Sequence, residues 1–161
     1  MAQEIERKYL IQPVDWSSIA EGIPYQQGYI ATQNNTAIRV RIAGDRAFLT
    51  LKGETLNISR LEFEYEIPIA DAQQLLENFC KKPFIEKTRY KIQYANLTWD
   101  IDIFEGENDG LAIAEVELDH EDQPIDLPPW IDREVTGDPK YYNSALANNP
   151  YQKWQNKVDT N

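Results

Sequence analysis

Near the N-terminus, Glu4, Glu6 and Lys8 stand at every second position, and the apolar run Tyr9-Leu10-Ile11 comes directly after them. Successive side chains of a strand point to opposite faces, so on a strand the two carboxylates and the ammonium share one face. Carboxylate oxygens hold a hard divalent cation, and an ammonium beside them attracts an anion bound to it. The trio therefore suits a metal-bound phosphate. A solvated strand face also alternates charge with hydrocarbon, so the trio alone does not decide between a site and a wet surface.

The alternation recurs along the whole sequence. Residues that would share a strand face are Arg39 and Arg41; Thr50 and Lys52; Arg60, Glu62, Glu64 and Glu66; Lys87, Arg89 and Lys91; Asp100 and Asp102; Glu115 and Glu117. The opposite faces hold Ile38, Val40 and Ile42; Leu49 and Leu51; Leu61, Phe63, Tyr65 and Ile67; Trp99, Ile101 and Ile103; Ala114, Val116 and Leu118, with Arg7 and Glu86 as exceptions. Two arrangements satisfy this pattern. In an ordinary antiparallel sheet the apolar face meets a core and the ionic face meets water. In a closed barrel with the ionic face inward, the lumen is a desolvated mosaic of both signs, costly unless a charged ligand and a metal occupy it. The abundance of Arg, which binds phosphate through a two-pronged fork, suits the second arrangement, but periodicity does not exclude the first.

The elements that must hold these residues are mainly strands, with patterns at 4–12, 26–33, 37–43, 47–52, 58–67, 85–94, 97–104 and 111–118. Asn34-Asn35, Gly44-Asp45 and Ala95-Asn96 separate neighbours as tight turns. A short helical piece is expected to end near Glu21-Gly22. A better helix spans Asp71 to Cys80 between Pro68 and Pro83, and a third, short one lies near Tyr141 to Leu146 after a turn at Val135 to Asp138. The polar residues after Pro150 are expected to fray.

A chain of 161 residues suits one domain, 1–161. Hydrophobic residues at 42 %, with four Trp, nine Tyr and five Phe, indicate a packed core and not a disordered acidic chain. The net charge of -11 argues against a sequence-independent grip on nucleic acid, so an anionic ligand must meet a local basic cluster or a metal. Cys80 and His120 are each the only residue of their type, which leaves no intrachain disulfide, and His120, set among Asp119, Glu121 and Asp122 as in an exposed turn, argues against a His-based triad or zinc site. The sequence shows no secretory pattern and no apolar run long enough to span a bilayer, which points to a cytoplasmic protein without a membrane partner.

The ordered set Glu4-Ile5-Glu6-Arg7-Lys8, Arg39-Val40-Arg41, Leu49-Thr50-Leu51-Lys52, Glu62-Phe63-Glu64, Lys87-Thr88-Arg89-Tyr90, Trp99-Asp100-Ile101-Asp102 and Ala114-Glu115-Val116-Glu117 resembles the CYTH superfamily, the triphosphate tunnel metalloenzymes. The likeness covers about residues 3 to 147, including Glu134 to Asp138, which looks like the short bacterial members. It implies a predominantly antiparallel α+β fold: an eight-stranded closed β-barrel with a few short flanking helices, its bore holding a linear triphosphate and Mg2+ or Mn2+. By that resemblance Lys8, Arg39, Arg41, Lys52, Lys87 and Arg89 bind the phosphates, with Tyr29 divided between a tunnel contact and packing and Arg60 a weaker candidate. Glu4, Glu6 and Glu117 resemble metal ligands, with Glu62, Glu64, Asp102 and Glu115 available to hold a second ion or to orient basic residues. Lys87, Arg41 and Glu64 form the candidate catalytic group. The expected activity is metal-dependent hydrolysis of inorganic triphosphate. The alternatives are adenylate cyclase, nucleoside or thiamine triphosphate hydrolysis, and non-catalytic binding of polyphosphate or a nucleotide. The resemblance is compatible with a homodimer.

Overall fold

The computed structural model describes residues 3–33, 35–54, 56 and 58–154. Among them are nine strands: β1 (Gln3–Ile11), β2 (Ile23–Ile30), β3 (Ala37–Ala43), β4 (Arg46–Lys52), β5 (Ser59–Ile67), β6 (Ile85–Tyr94), β7 (Leu97–Phe104), β8 (Ala112–Glu117) and β9 (Ile131–Glu134). Two α-helices accompany them, α1 (Ile69–Phe79) and α2 (Asn143–Asn148). The first eight strands close into an antiparallel ring in the order β5-β4-β3-β2-β6-β7-β8-β1, and β1 returns to β5. β1 makes that closure by changing partners along its length. Gln3 to Ile5 pair with β5, Glu6 to Leu10 pair with β8 on the other edge, and Tyr9 to Ile11 add β9.

Alternation along each strand decides what lies inside. Lys8, Gln27, Arg39, Thr50, Lys52, Lys87 and Asp102 are buried polar residues of the bore. The odd-numbered apolar residues of β1 and β7 and the even-numbered ones of β8 face outward and pack under the loops: Ile5, Tyr9, Trp99, Ile101, Ala114 and Val116 meet Trp16 and Trp130. On another side α1 lays Ala72 and Leu76 across Val40 and Ala47. Gly28 permits the close approach there, since a Cβ at that position would stand 2.8 Å from Cys80 Cβ and 3.0 Å from Leu76 Cδ2. Most of the hydrocarbon core is thus wrapped around the barrel, and the middle of the ionic face is enclosed, as the resemblance implied and periodicity alone could not decide, while Glu64, Glu66, Lys91 and Glu117 of that face are exposed.

One end is plugged by hydrocarbon. Ile85, Phe104 and Ile113 share their strands' inward parity with the charged residues but meet Leu146 and Ala147 of α2, Tyr141 and Val135. The C-terminal segment reaches this position through Val135 N, which donates to the Lys8 carbonyl at 2.9 Å, and through Thr136 Oγ1, which accepts from Lys8 N at 2.9 Å.

Several boundaries differ from the sequence reading. The second strand begins at Ile23 and ends at Ile30 instead of covering 26–33, because Pro24 enters the ladder opposite Thr88 at the start of the strand. The first helical piece is a single 3-10 turn, Trp16–Ser18, anchored by the buried Trp16 ring. β9 was not anticipated: its four residues come after Pro128-Pro129 and are too few to show a period. Residues 151–154 are helical instead of frayed, with Trp154 edge-on to Tyr141 and Tyr151 at 5.4 and 4.9 Å. The remaining tail lies outside the described residues. The tight turn at Ala95 and Asn96 is as expected, both residues having positive φ (49° and 66°), the backbone that a two-residue hairpin takes.

Candidate active site

The bore contains three ionic groups, each fixed by strand register. On β1, β4 and β5, Lys52 Nζ lies 3.1 Å from Glu4 Oε1 and 3.1 Å from Glu62 Oε2, and Arg60 Nε approaches Glu4 at 3.6 Å. These cations outweigh burial and hold the Glu4 carboxyl down at about 2. Next to it, Glu6 is the direct cross-strand partner of Glu117, and Lys8 that of Glu115. Lys8 Nζ bridges Glu115 at 3.6 Å and Glu6 at 3.8 Å. Burial and the Glu115 carboxylate, with a further push from Glu4, raise Glu6 to about 7 against the pull of Lys8. Glu117 is raised for similar reasons, by burial and by the charges of Glu4 and Asp100.

The second group lies on β3, β4 and β5. Glu64 Oε2 accepts from Thr50 Oγ1 at 2.8 Å and from Arg39 Nη2 at 3.2 Å, and Arg41 Nη2 stands 3.5 Å away. Arg41 lies over the Tyr25 and Phe48 rings, at 5.0 and 5.9 Å. Burial, then the neighbouring Arg39 and Arg89 charges, lower Arg41 to about 10, still protonated at neutral pH.

The third group spans β6 and β7. Asp102 receives Lys87 Nζ at 2.7 Å and Arg89 through Nε at 2.7 Å and Nη2 at 2.8 Å. Burial opposes the carboxylate, but Arg89 and Lys87 together hold Asp102 well below the usual carboxylate range. Burial pushes Lys87 down to about 8, Asp102 resisting and Arg89 assisting. Both Asp102 oxygens are occupied by cations, which fits a residue that orients Lys87 and Arg89 better than one that ligates an ion.

Every basic residue named as a phosphate-binding candidate faces this enclosure. So do Glu4, Glu6, Glu62 and Glu115, whereas Glu64 and Glu117 share the inward parity of their strands but are exposed at the edge of the enclosure. Sequence reasoning missed Gln27, Tyr25, Tyr142 and Asn143. Asn143 Oδ1 accepts from Lys87 Nζ at 3.1 Å and from Gln27 Nε2 at 3.2 Å. Gln27 Nε2 also reaches the Tyr29 hydroxyl at 3.1 Å, so the Tyr29 hydroxyl joins the bore's polar network while its ring packs against the hydrocarbon plug. The Tyr142 ring underlies Lys8 and Arg60 at 5.3 and 5.8 Å.

The space between the charges is small, about 30 Å³ among Lys8, Arg39, Lys52, Lys87 and Arg89. An anionic chain entering this space would have to displace carboxylates from their cations. The bore continues past Tyr29, Arg60 and Ser144 into a cleft of about 550 Å³. On another side, Tyr25, Arg41, Arg46 and Phe48 line a cleft of about 520 Å³.

A metal was expected at the acidic side chains. Among the described residues no three carboxylates already converge as they would around an ion. The chemistry of the set nevertheless fits one: all donors are carboxylate oxygens, and the crowding that raises Glu6 is what a divalent cation would relieve.

Residues 2–142 match the model of the CYTH domain. The chain belongs to the CYTH domain family. Among its CYTH relatives is the inorganic triphosphatase of Acetivibrio thermocellus, 49% identical over 155 residues that cover 96% of this chain and 99% of that protein. The inorganic triphosphatase of Nitrosomonas europaea is 36% identical over 149 residues, 89% of this chain and 96% of that one. A crystal structure of an inorganic triphosphatase aligns with a TM-score of 0.66 at 34% identity, covering 91% of this chain and 95% of that one. A putative adenylate cyclase of Bacillus halodurans aligns with a TM-score of 0.59 at 18% identity, over 74% of this chain and 83% of that one, and so shares the fold. No helix among the described residues is long and apolar enough to cross a membrane.

Proposed function

We propose that this CYTH protein is a divalent-metal-dependent inorganic triphosphatase. The observation behind the reading is the enclosed bore, in which Lys8, Arg39, Lys52 and Lys87 are buried and face carboxylates instead of solvent. The two inorganic triphosphatases that resemble nearly the whole chain support the choice of substrate.

A linear triphosphate is a short rod of negative charge, and the basic side chains are spread around it on several strands. Arg39 and Arg41 would exchange Glu64 for phosphate oxygens, Lys52 would leave Glu4 and Glu62, and Lys87 and Arg89 would stay braced by Asp102. Glu4, Glu6 and Glu117 would hold Mg2+ or Mn2+, with Glu115 and Glu62 beside them, once Lys8 and Lys52 turn to the anion. When bound, the ion neutralises charge on the phosphate oxygens and lowers the barrier to water attack. Attack is in line at a terminal phosphorus, and the guanidinium and ammonium groups stabilise charge on the equatorial oxygens of the transition state. Glu64, freed from Arg39 and Arg41, is a candidate to accept a hydrogen bond from the attacking water. No covalent nucleophile is needed, in keeping with a Cys80 placed outside the bore against Ile30.

A second reading rests on the 550 Å³ cleft beyond Tyr29 and Ser144. It offers room for a group attached to the third phosphate, so a nucleoside triphosphate is the substrate to compare. A phosphate-release screen over triphosphate, pyrophosphate, ATP and thiamine triphosphate, each with Mg2+ and Mn2+, separates the readings. Turnover highest on inorganic triphosphate is the expected result. Cyclic AMP formed from ATP, or tight triphosphate binding with no phosphate released, would overturn it.

A further inference from the structure

We propose that Asn143, brought into the bore by the C-terminal plug, is a positioning residue that works with Gln27 to fix Lys87 against the phosphate chain. The inference rests on the triphosphatase reading above and adds to it a component from outside the barrel strands.

Lys87 is almost completely buried, and its ammonium has three protons to place. One goes to Asp102 Oδ2 at 2.7 Å and one to Asn143 Oδ1 at 3.1 Å. The rings of Phe104 and Tyr25 lie 5.4 and 5.8 Å from the ammonium, and among the described residues its hydrogen bonds are those to Asp102 and Asn143, which leaves the third proton for a ligand. Two fixed acceptors hold a flexible four-carbon side chain in one orientation and leave a single N–H to aim at a phosphate oxygen. With Asp102 alone the ammonium could rotate about that contact.

Gln27 supports the same atom. It is fully buried, and its Nε2 donates to Asn143 Oδ1 at 3.2 Å and to the Tyr29 hydroxyl at 3.1 Å. Among the described residues its own Oε1 has no partner. A buried carboxamide with one unpaired acceptor is destabilising where an apolar side chain would not be, so packing does not account for a glutamine here. Helix capping does not account for Asn143 either. It is the first residue of α2, the N-cap is Tyr142, and no side chain caps the helix. Apolar contacts from Leu146 and Ala147 to the barrel end seat α2, and that seat sets where Asn143 points. The result is a continuous chain of contacts, Tyr29 to Gln27 to Asn143 to Lys87 to Asp102 to Arg89.

The test compares Asn143→Leu with Asn143→Asp in steady-state hydrolysis of inorganic triphosphate at saturating metal. Leucine keeps the volume but removes the acceptor, and aspartate keeps the acceptor oxygen. Asn143→Leu is expected to lose about 10- to 100-fold in kcat with KM within about threefold of the wild type, and Asn143→Asp to recover at least about tenfold of that loss. Should the leucine variant fail to fold, judged by thermal unfolding, Asn143→Ala takes its place with the same expected split. The inference is overturned if the folded truncation keeps kcat within about threefold, if its loss lies in KM, or if aspartate is no better than the truncation. A wild-type protein that does not hydrolyse triphosphate would instead overturn the triphosphatase reading, so the two failures are distinct.

Discussion

The Asp102 carboxylate lies 2.7 Å from the Lys87 ammonium, and both side chains are closed to solvent. Arg89 closes on the same carboxylate through two nitrogens, so one acid anchors two cations on one wall of the bore. Removing one member of a buried ion pair leaves the others desolvated without compensation, a loss of about 3–5 kcal/mol. Asp102→Asn is expected to lower the stability measured by denaturant unfolding at neutral pH by that order. The folded carboxyl sits below its unfolded value, so its contribution is complete above about pH 4 and disappears as pH falls towards the folded value. The wild type should therefore lose stability below about pH 4 in a way that Asp102→Asn does not. Equal acid limbs in the two proteins would contradict the assignment.

Glu6 has the opposite sign. Burial and the Glu115 carboxylate raise it from 4.5 to about 7. Below about pH 4.5 the group is protonated in both folded and unfolded chains, and as pH rises through this window the unfolded chain releases its proton first. Folding of chelator-treated protein should thus weaken between about pH 4.5 and 7, by about 2–3 kcal/mol in all. Glu6→Gln should remove most of this loss, and saturating Mg2+ or Mn2+ should reverse it in the wild type. Thermal unfolding at pH 5 and pH 8, with and without metal, reads both effects.

The same carboxylates should be indispensable for turnover. Glu4→Gln and Glu6→Gln are each expected to lose about 100-fold or more in metal-dependent phosphate release while remaining folded. Full activity of either variant in the presence of Mg2+ or Mn2+ would show the metal site to be misassigned.

Arg41 tests the opposite wall. Its guanidinium approaches Glu64 and lies over the Tyr25 and Phe48 rings, a setting that uses the planar shape of the group as well as its charge. Arg41→Ala should lower kcat/KM for triphosphate by about 10- to 100-fold, with kcat reduced and KM raised together, the size of one or two charge-assisted hydrogen bonds. Arg41→Lys should restore only part of it, because an ammonium keeps the charge but neither the fork nor the stacking. Complete rescue by lysine would reduce the role of Arg41 to charge alone.

How far the sequence anticipates this site depends on the kind of signal each residue leaves. Glu4, Arg39, Lys52, Lys87 and Glu117 lie on strands with sustained alternation, and period-two patterning identifies such a face without identifying its side of the sheet. Enclosure comes from closure of β1 on β5, a long-range pairing that three residues of β1 make. Gln27 was hidden for a different reason. Pro24 blurs the start of β2, and a lone glutamine beside Gln26 has no charge to stand out. Asn143 sits in a short helix whose position comes from tertiary packing of Leu146 and Ala147, which no local pattern encodes. β9 is likewise too brief for a period to show.

Gly28 separates stability from catalysis. It faces outward on β2, between inward-pointing Gln27 and Tyr29, and its missing side chain lets Cys80 and Leu76 reach the strand. A methyl group at 2.8 Å from Cys80 Cβ cannot be accommodated without moving the end of α1, because the contacted atom is fixed to the backbone. Gly28→Ala is therefore expected to destabilise the fold by about 1–3 kcal/mol, the usual range for overpacking a close contact. The bore lies on the other face of β2, so kcat and KM at a temperature where the variant is folded should stay within about twofold of the wild type. Denaturant unfolding together with steady-state kinetics checks both halves. A variant with full stability would mean that α1 yields freely at this contact, whereas a stability loss accompanied by a large fall in kcat would show that α1 also sets the geometry of the inner face.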